Sequence, residues 1–72
     1  MEAVVAAAVE AIASRDWEGL KPLLHPYLHW HGAGGARLRG RTNVLAHLES
    51  AGPQELPAEV ELRDGQIYRW RA

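Results

Sequence analysis

Two histidines one residue apart, His29 and His31, have the spacing in this chain most suited to chemistry. In an extended backbone alternate side chains leave the same face, so both rings stand roughly 6–7 Å apart at the backbone. That spacing suits chelation of a divalent metal, with His25 or His47 as a third ligand. HxH is a short motif, however, and histidines on a solvated sheet face satisfy it equally well. The expectation is therefore no metal site and no cofactor. The other chemistry open to such a ring is proton transfer near neutral pH. The carboxylates offer less: Asp16 reads as a helix cap, Asp64 as a turn residue, and Glu59 and Glu61 as the charged face of a hairpin. General acid–base work calls for a carboxylate tuned by burial, and none of these positions provides one.

The aromatic residues point to a surface that holds something rather than transforms it. Trp17, Tyr27, Trp30, Tyr68 and Trp70 are present and phenylalanine is absent. Tryptophan and tyrosine combine apolar area with a polar handle, which suits a damp ligand cavity or an interface as well as a core. The candidate ligand-lining set is Trp17, Tyr27, His29, Trp30, Tyr68 and Trp70.

The elements that position these residues can be read from periodicity. Residues 3–14 predict a helix, with Val5, Ala8, Val9 and Ile12 on one stripe. Asp16 is the expected N-cap of a second helical segment, 16–25. Pro22 divides that segment into a short turn at 16–19 and a regular helix restarting near Pro22, which Pro26 ends. Tyr27 to His31 predicts a strand with Leu28 and Trp30 on one face and Tyr27, His29 and His31 on the other. Gly32 to Gly35 is a loop without phosphate-binding spacing. Arg37, Arg39 and Arg41 read as a solvated basic loop, too small a footprint for nucleic acid. Residues 42–51 predict a third helix capped by Thr42 and stopped by Gly52 and Pro53. A hairpin follows, 58–63 and 66–71, turning at Asp64-Gly65. A three-residue turn with Gly65 as a bulge is the preferred register. It places Ala58, Val60, Leu62, Tyr68 and Trp70 on one face, lets Glu59 pair with Arg69, and leaves Ile67 on the charged face.

Composition bounds the possibilities. The 72 residues, 47% hydrophobic and 24% charged with net charge -1, predict one globular domain over 1–72 and give no support to nucleic-acid binding. Cysteine is absent, so disulfides and thiolate metal sites are excluded. A chain of this size hides only about 60% of its unfolded surface, and self-association is the expected remedy. The alanine-rich opening carries Glu2 and Glu10, lacks a basic n-region and is too short to span a bilayer, so no membrane role and a cytoplasmic location are expected.

Three stretches, in order, resemble nuclear transport factor 2-like (SnoaL-like) domains. They are Asp16 to Pro26 running into Tyr27 to His31, then Leu38-Arg39-Gly40-Arg41 leading into the 42–48 helix, then Leu62 to Trp70 at the closing hairpin. The resemblance implies an α+β fold of three helices on a small antiparallel curved sheet, a shortened cystatin-like cone, in the order α-α-β-α-β-β. It also implies an interior pocket and frequent dimers. Enzymes of this superfamily commonly use a pocket aspartate as general base, and neither Asp16 nor Asp64 falls at such a position. The leading expectation is thus a domain that binds a small apolar ligand, as a homodimer. The alternatives are a dimeric interaction module without ligand and a cyclase- or isomerase-like enzyme using a pocket histidine.

Overall fold

The computed structural model describes residues 2–32 and 35–72. The loop expected at 32–35 therefore lies partly outside the described residues. The first helix, α1 (Ala3–Ser14), buries Val5, Ala8 and Ile12 as its spacing predicts, with Ala11 in place of Val9, which is half-buried. It ends at Arg15 in the left-handed region (φ 60°), whose guanidinium donates to the Glu49 carbonyl at 2.9 Å.

Asp16 caps the next turn as expected. Its Oδ1 accepts from the Gly19 amide at 3.0 Å, opening α2 (Trp17–Leu20). The regular helix expected to restart at Pro22 does not form. A single 3₁₀ turn spans Lys21–Leu23, and the chain is already extended at Leu24. The cause is Pro26, which drives the residue before it out of helical space and leaves too few residues between the prolines for a helix. The strand β1 accordingly runs Leu24–His31, three residues longer than predicted at its start. Pro26 falls where the pairing of β1 with its neighbour shifts register, between Leu24 and His29. A proline lacking a ladder donor is tolerated at such an irregularity.

Arg37–Arg39, read from the sequence as a loop, is a strand, β2. It pairs antiparallel with β1 and sets half-buried Leu38 opposite Trp30, with Arg37 and Arg39 facing outward. The helix α3 (Arg41–Ala51) follows, and its N-cap is Gly40 (φ 86°) rather than Thr42, which lies inside the helix. Glycine takes that conformation without a Cβ penalty.

The hairpin of β3 (Glu59–Arg63) and β4 (Gln66–Arg71) also corrects an expectation. Arg63 pairs with Gln66 across a two-residue turn, with both Asp64 (φ 55°) and Gly65 (φ 77°) left-handed. These are the torsion signs of a type I′ turn. The one-residue offset exists, but it arises inside β4: Leu62 pairs with Ile67 and Glu61 with Arg69, so Tyr68 is skipped. The bulge turns both Ile67 and Trp70 into the core, whereas a regular strand would bury only one of them. Tyr68, expected beside Trp70, stands instead against His25 and His29. Glu61 meets Arg69 at 3.9 Å and Glu59 meets Arg71 at 3.5 Å, in place of a Glu59–Arg69 pair.

The strand order is β2-β1-β4-β3, with β1 and β4 parallel. The sheet is therefore mixed rather than wholly antiparallel, within the expected α+β class. Leu20, Leu24, Leu28, Trp30, Val44, Leu48, Ile67 and Trp70 join the α1 stripe in one core between helices and sheet.

Candidate functional site

The six aromatic and histidine positions singled out above divide between two faces. Trp30 and Trp70 lie in register on β1 and β4 and stack inside the core, with ring centroids 4.6 Å apart and planes 12° from parallel. Trp17 sits at the helical margin, half-buried, with the Arg15 guanidinium 5.4 Å from its ring. Tyr27, His29 and Tyr68 occupy the outer sheet face. There Tyr68 packs edge-on against His25 (5.0 Å) and His29 (5.3 Å), and Arg63 lies 4.0 Å over its ring. Strand alternation separates the two groups: Trp30 points in, and His29 on one side of it points out.

Both tryptophans are buried as members of the core. Among the described residues no polar or charged side chain is buried as a whole. The indole Nε1 of Trp30 is nevertheless buried and meets no acceptor among them. A buried donor without an acceptor costs on the order of 1–3 kcal/mol. The spacing of His29 and His31 did not reveal this group, whose isolation depends on what surrounds the ring in space.

Two surface depressions use the candidate residues. On the outer face a groove of about 380 Å³ is lined by Tyr27, His29, Arg39 and Gly40. At the far end of the core a cleft of about 270 Å³ is lined by Pro53, Gln54, Glu55, Leu56, Trp70 and Ala72. The first joins aromatic rings to a guanidinium, and the second sets Pro53, Leu56 and Trp70 beside an amide and a carboxylate. Residues 53–56, within what the sequence marked only as a proline-rich connection, thus form one wall of the second cleft. His31 stands among Arg37, Arg69, Arg71 and His29. Its pKa is held below the ordinary 6.5, first by desolvation and then by those positive neighbours. No group of three or more His, Asp or Glu residues able to hold a metal occurs among the described residues.

A mixed sheet covered on one face by three helices, entered through paired N-terminal helical segments, defines the nuclear transport factor 2-like class. The chain belongs to the SnoaL-like domain family, which it matches over residues 5–66. Solved structures agree on the fold. A candidate ketosteroid isomerase from Kribbella flavida DSM 17836 is similar with a TM-score of 0.75 at 17% identity, over 93% of this chain and 71% of that one. An LEH-like epoxide hydrolase of M. tuberculosis gives 0.73 at 20% identity, over 94% and 77% of the two chains. An NTF-2 like protein of unknown function from Burkholderia xenovorans LB400 gives 0.68 at 16%, over 92% and 75%. No curated protein sequence matches the chain. No helix among the described residues is long and apolar enough to cross a membrane.

Proposed function

We propose that this domain binds a small apolar ligand bearing an oxygen function, in the cleft between Trp70 and the 53–57 segment. The observation that carries the reading is the composition of that cleft. Pro53, Leu56 and Trp70 meet Gln54 and Glu55 there, so apolar and polar groups share one cleft. The family supports it by analogy, as do two structural neighbours named for a ketosteroid and an epoxide, both oxygen-bearing organic molecules. Binding is favoured over turnover because the ionisable candidate, His29, lies in the outer groove with Tyr27 and Arg39, on the opposite face from the tryptophan pair.

The test is thermal unfolding, followed by tryptophan fluorescence, with a steroid ketone and an aliphatic epoxide as probes. Ligand at one hundred times its Kd should stabilise the protein by about 2.7 kcal/mol, a rise of several degrees in Tm. Leu56→Asp should abolish the rise while leaving the unliganded Tm nearly unchanged, because Leu56 is 52% exposed. No shift with either probe at millimolar concentration would remove the reading. A dimeric interaction module is the second reading, and the half-buried Val60 and Leu62 of an outermost strand favour it.

A further inference from the structure

The arginines of this chain are not equally engaged. Arg15 donates to the Glu49 carbonyl, Arg41 donates to the Leu24 carbonyl, and Arg63 lies over the Tyr68 ring. Arg69 and Arg71 face Glu61 and Glu59. Arg37 and Arg39 are exposed, and neither guanidinium meets a carboxylate, a carbonyl or a ring among the described residues. The sheet sets these two beside further cations. Arg39 pairs with His29, whose other neighbour is Arg69, and Arg37 pairs with His31, whose other neighbour is Arg71. Alternate residues share a face, so both rows lie on the outer side, about 6–7 Å apart along the strand. The carboxylates of these rows, Glu61 and Glu59, stand at the β3 end against Arg69 and Arg71. The β2 end is left with positive charge and no counter-charge. His31 sits in that field: desolvation, then Arg37, Arg71 and Arg69, hold its pKa below the ordinary 6.5. Aromatic surface adjoins the charge. The groove of about 380 Å³ beside Arg39 is completed by Tyr27, His29 and Gly40. Tyr27 is 75% exposed there. The corner carrying Arg39 is fixed, since Asn43 donates to the Arg39 carbonyl at 2.9 Å and the Gly40 amide donates to the Leu28 carbonyl at 2.8 Å.

We propose that this groove binds a small aromatic phosphate monoester, its ring against Tyr27 and its phosphoryl oxygens at Arg39 and Arg37. Charge complementarity selects the anion. A phosphate monoester carries about −1.5 to −2 charges near neutral pH and offers three acceptor oxygens. Two guanidinium forks and the imidazole of His29 supply more donors than the two oxygens of a carboxylate can use. The exposed ring selects the body of the ligand, because an aromatic group covers Tyr27 where a bare anion would not. The groove shares no residue with the cleft at 53–56, so this site stands or falls apart from the one over Trp70.

The experiment is a titration followed by amide NMR shifts, with phenyl phosphate, inorganic phosphate and phenol as probes in about 0.15 M salt. Wild type is compared with Arg37→Gln, Arg39→Gln and Tyr27→Ala. All three positions are exposed, so folding should persist in each variant, which circular dichroism checks. Phenyl phosphate should bind wild type with a Kd below about 1 mM and shift the amides of Tyr27, His29, Arg39 and Gly40. Inorganic phosphate should bind about tenfold more weakly, and phenol should not saturate in the same range. Each arginine variant should weaken phenyl phosphate about tenfold, and Tyr27→Ala should bring it to the level of inorganic phosphate. Equal affinity for phenyl phosphate and inorganic phosphate would overturn the proposal, as would arginine variants that bind like wild type. Shifts centred on Trp70 and 53–56 would move the anion to the other cleft and also overturn it. A single-stranded oligonucleotide that binds more tightly than phenyl phosphate would do the same, by making the occupant a nucleic-acid strand.

Discussion

At the scale of single residues, His31 and Gly19 carry consequences that can be measured. His31 has a folded-state pKa below its ordinary value, because desolvation and the positive charges of Arg37, Arg71 and Arg69 disfavour its charged form. The unfolded chain then binds more protons than the folded one as pH falls through 6.5 toward the lowered value. Stability from this group is fully present above that window and is lost as the pH falls through it. His31→Gln should therefore shrink the drop in Tm between about pH 7.5 and about pH 5, measured by thermal melts at both. Gly19 is constrained differently: a Cβ there would collide with Asp16 Oδ2. Any side chain at Gly19 forces the capping carboxylate aside. Asp16→Ala, which leaves Gly19 in place, should cost about 1 kcal/mol by urea unfolding. An unchanged midpoint would mean that Asp16 contributes nothing as a cap. The Asp16 cap was legible in the sequence because its signal is local. The orphaned Trp30 indole was not, because it depends on what lies around the ring in space.

At the scale of elements, legibility followed length. α1 was read to the residue, since an apolar stripe over twelve residues leaves little room for another period. β2 was missed because Arg-Leu-Arg alternates only once, and three residues cannot distinguish a strand from a loop. The Asp64-Gly65 turn was found but its type was not, since charge segregation alone allowed a bulge at Gly65. The bulge at Tyr68 reaches nearly the same segregation and also buries Ile67. The turn makes a direct prediction. Asp64 has φ 55°, a conformation that a β-branched residue adopts only under strain. Asp64→Val should cost about 1–2 kcal/mol, while Asp64→Asn should be nearly neutral, by chemical denaturation. Equal stability of the two would show that the turn relaxes to another type.

At the scale of the whole molecule, the fold class was legible from three motifs in order, and the candidate site was legible only in part. Trp70 borders the cleft at 53–56, and Tyr27 and His29 border the outer groove. What a list of aromatic residues could not convey is that the sheet stands between these two groups. The two tryptophans stack within the core, and Trp70 also borders a surface cleft. The parallel pairing of β1 with β4 was equally hidden, because its partners sit far apart in the sequence and no turn residue announces them.

That pairing governs how the molecule comes into being. Because β4 lies between β1 and β3, three of the four strands cannot be joined until it has been synthesised. During translation β1, with its apolar Leu24, Leu28 and Trp30, must wait beside only the short β2, while α1 can already form. Closing the sheet means bringing distant segments together at one stroke, a topology that folds slowly. The nascent chain thus passes through a stage in which β1 has only a three-residue neighbour, and the synthesis of β4 ends that exposure.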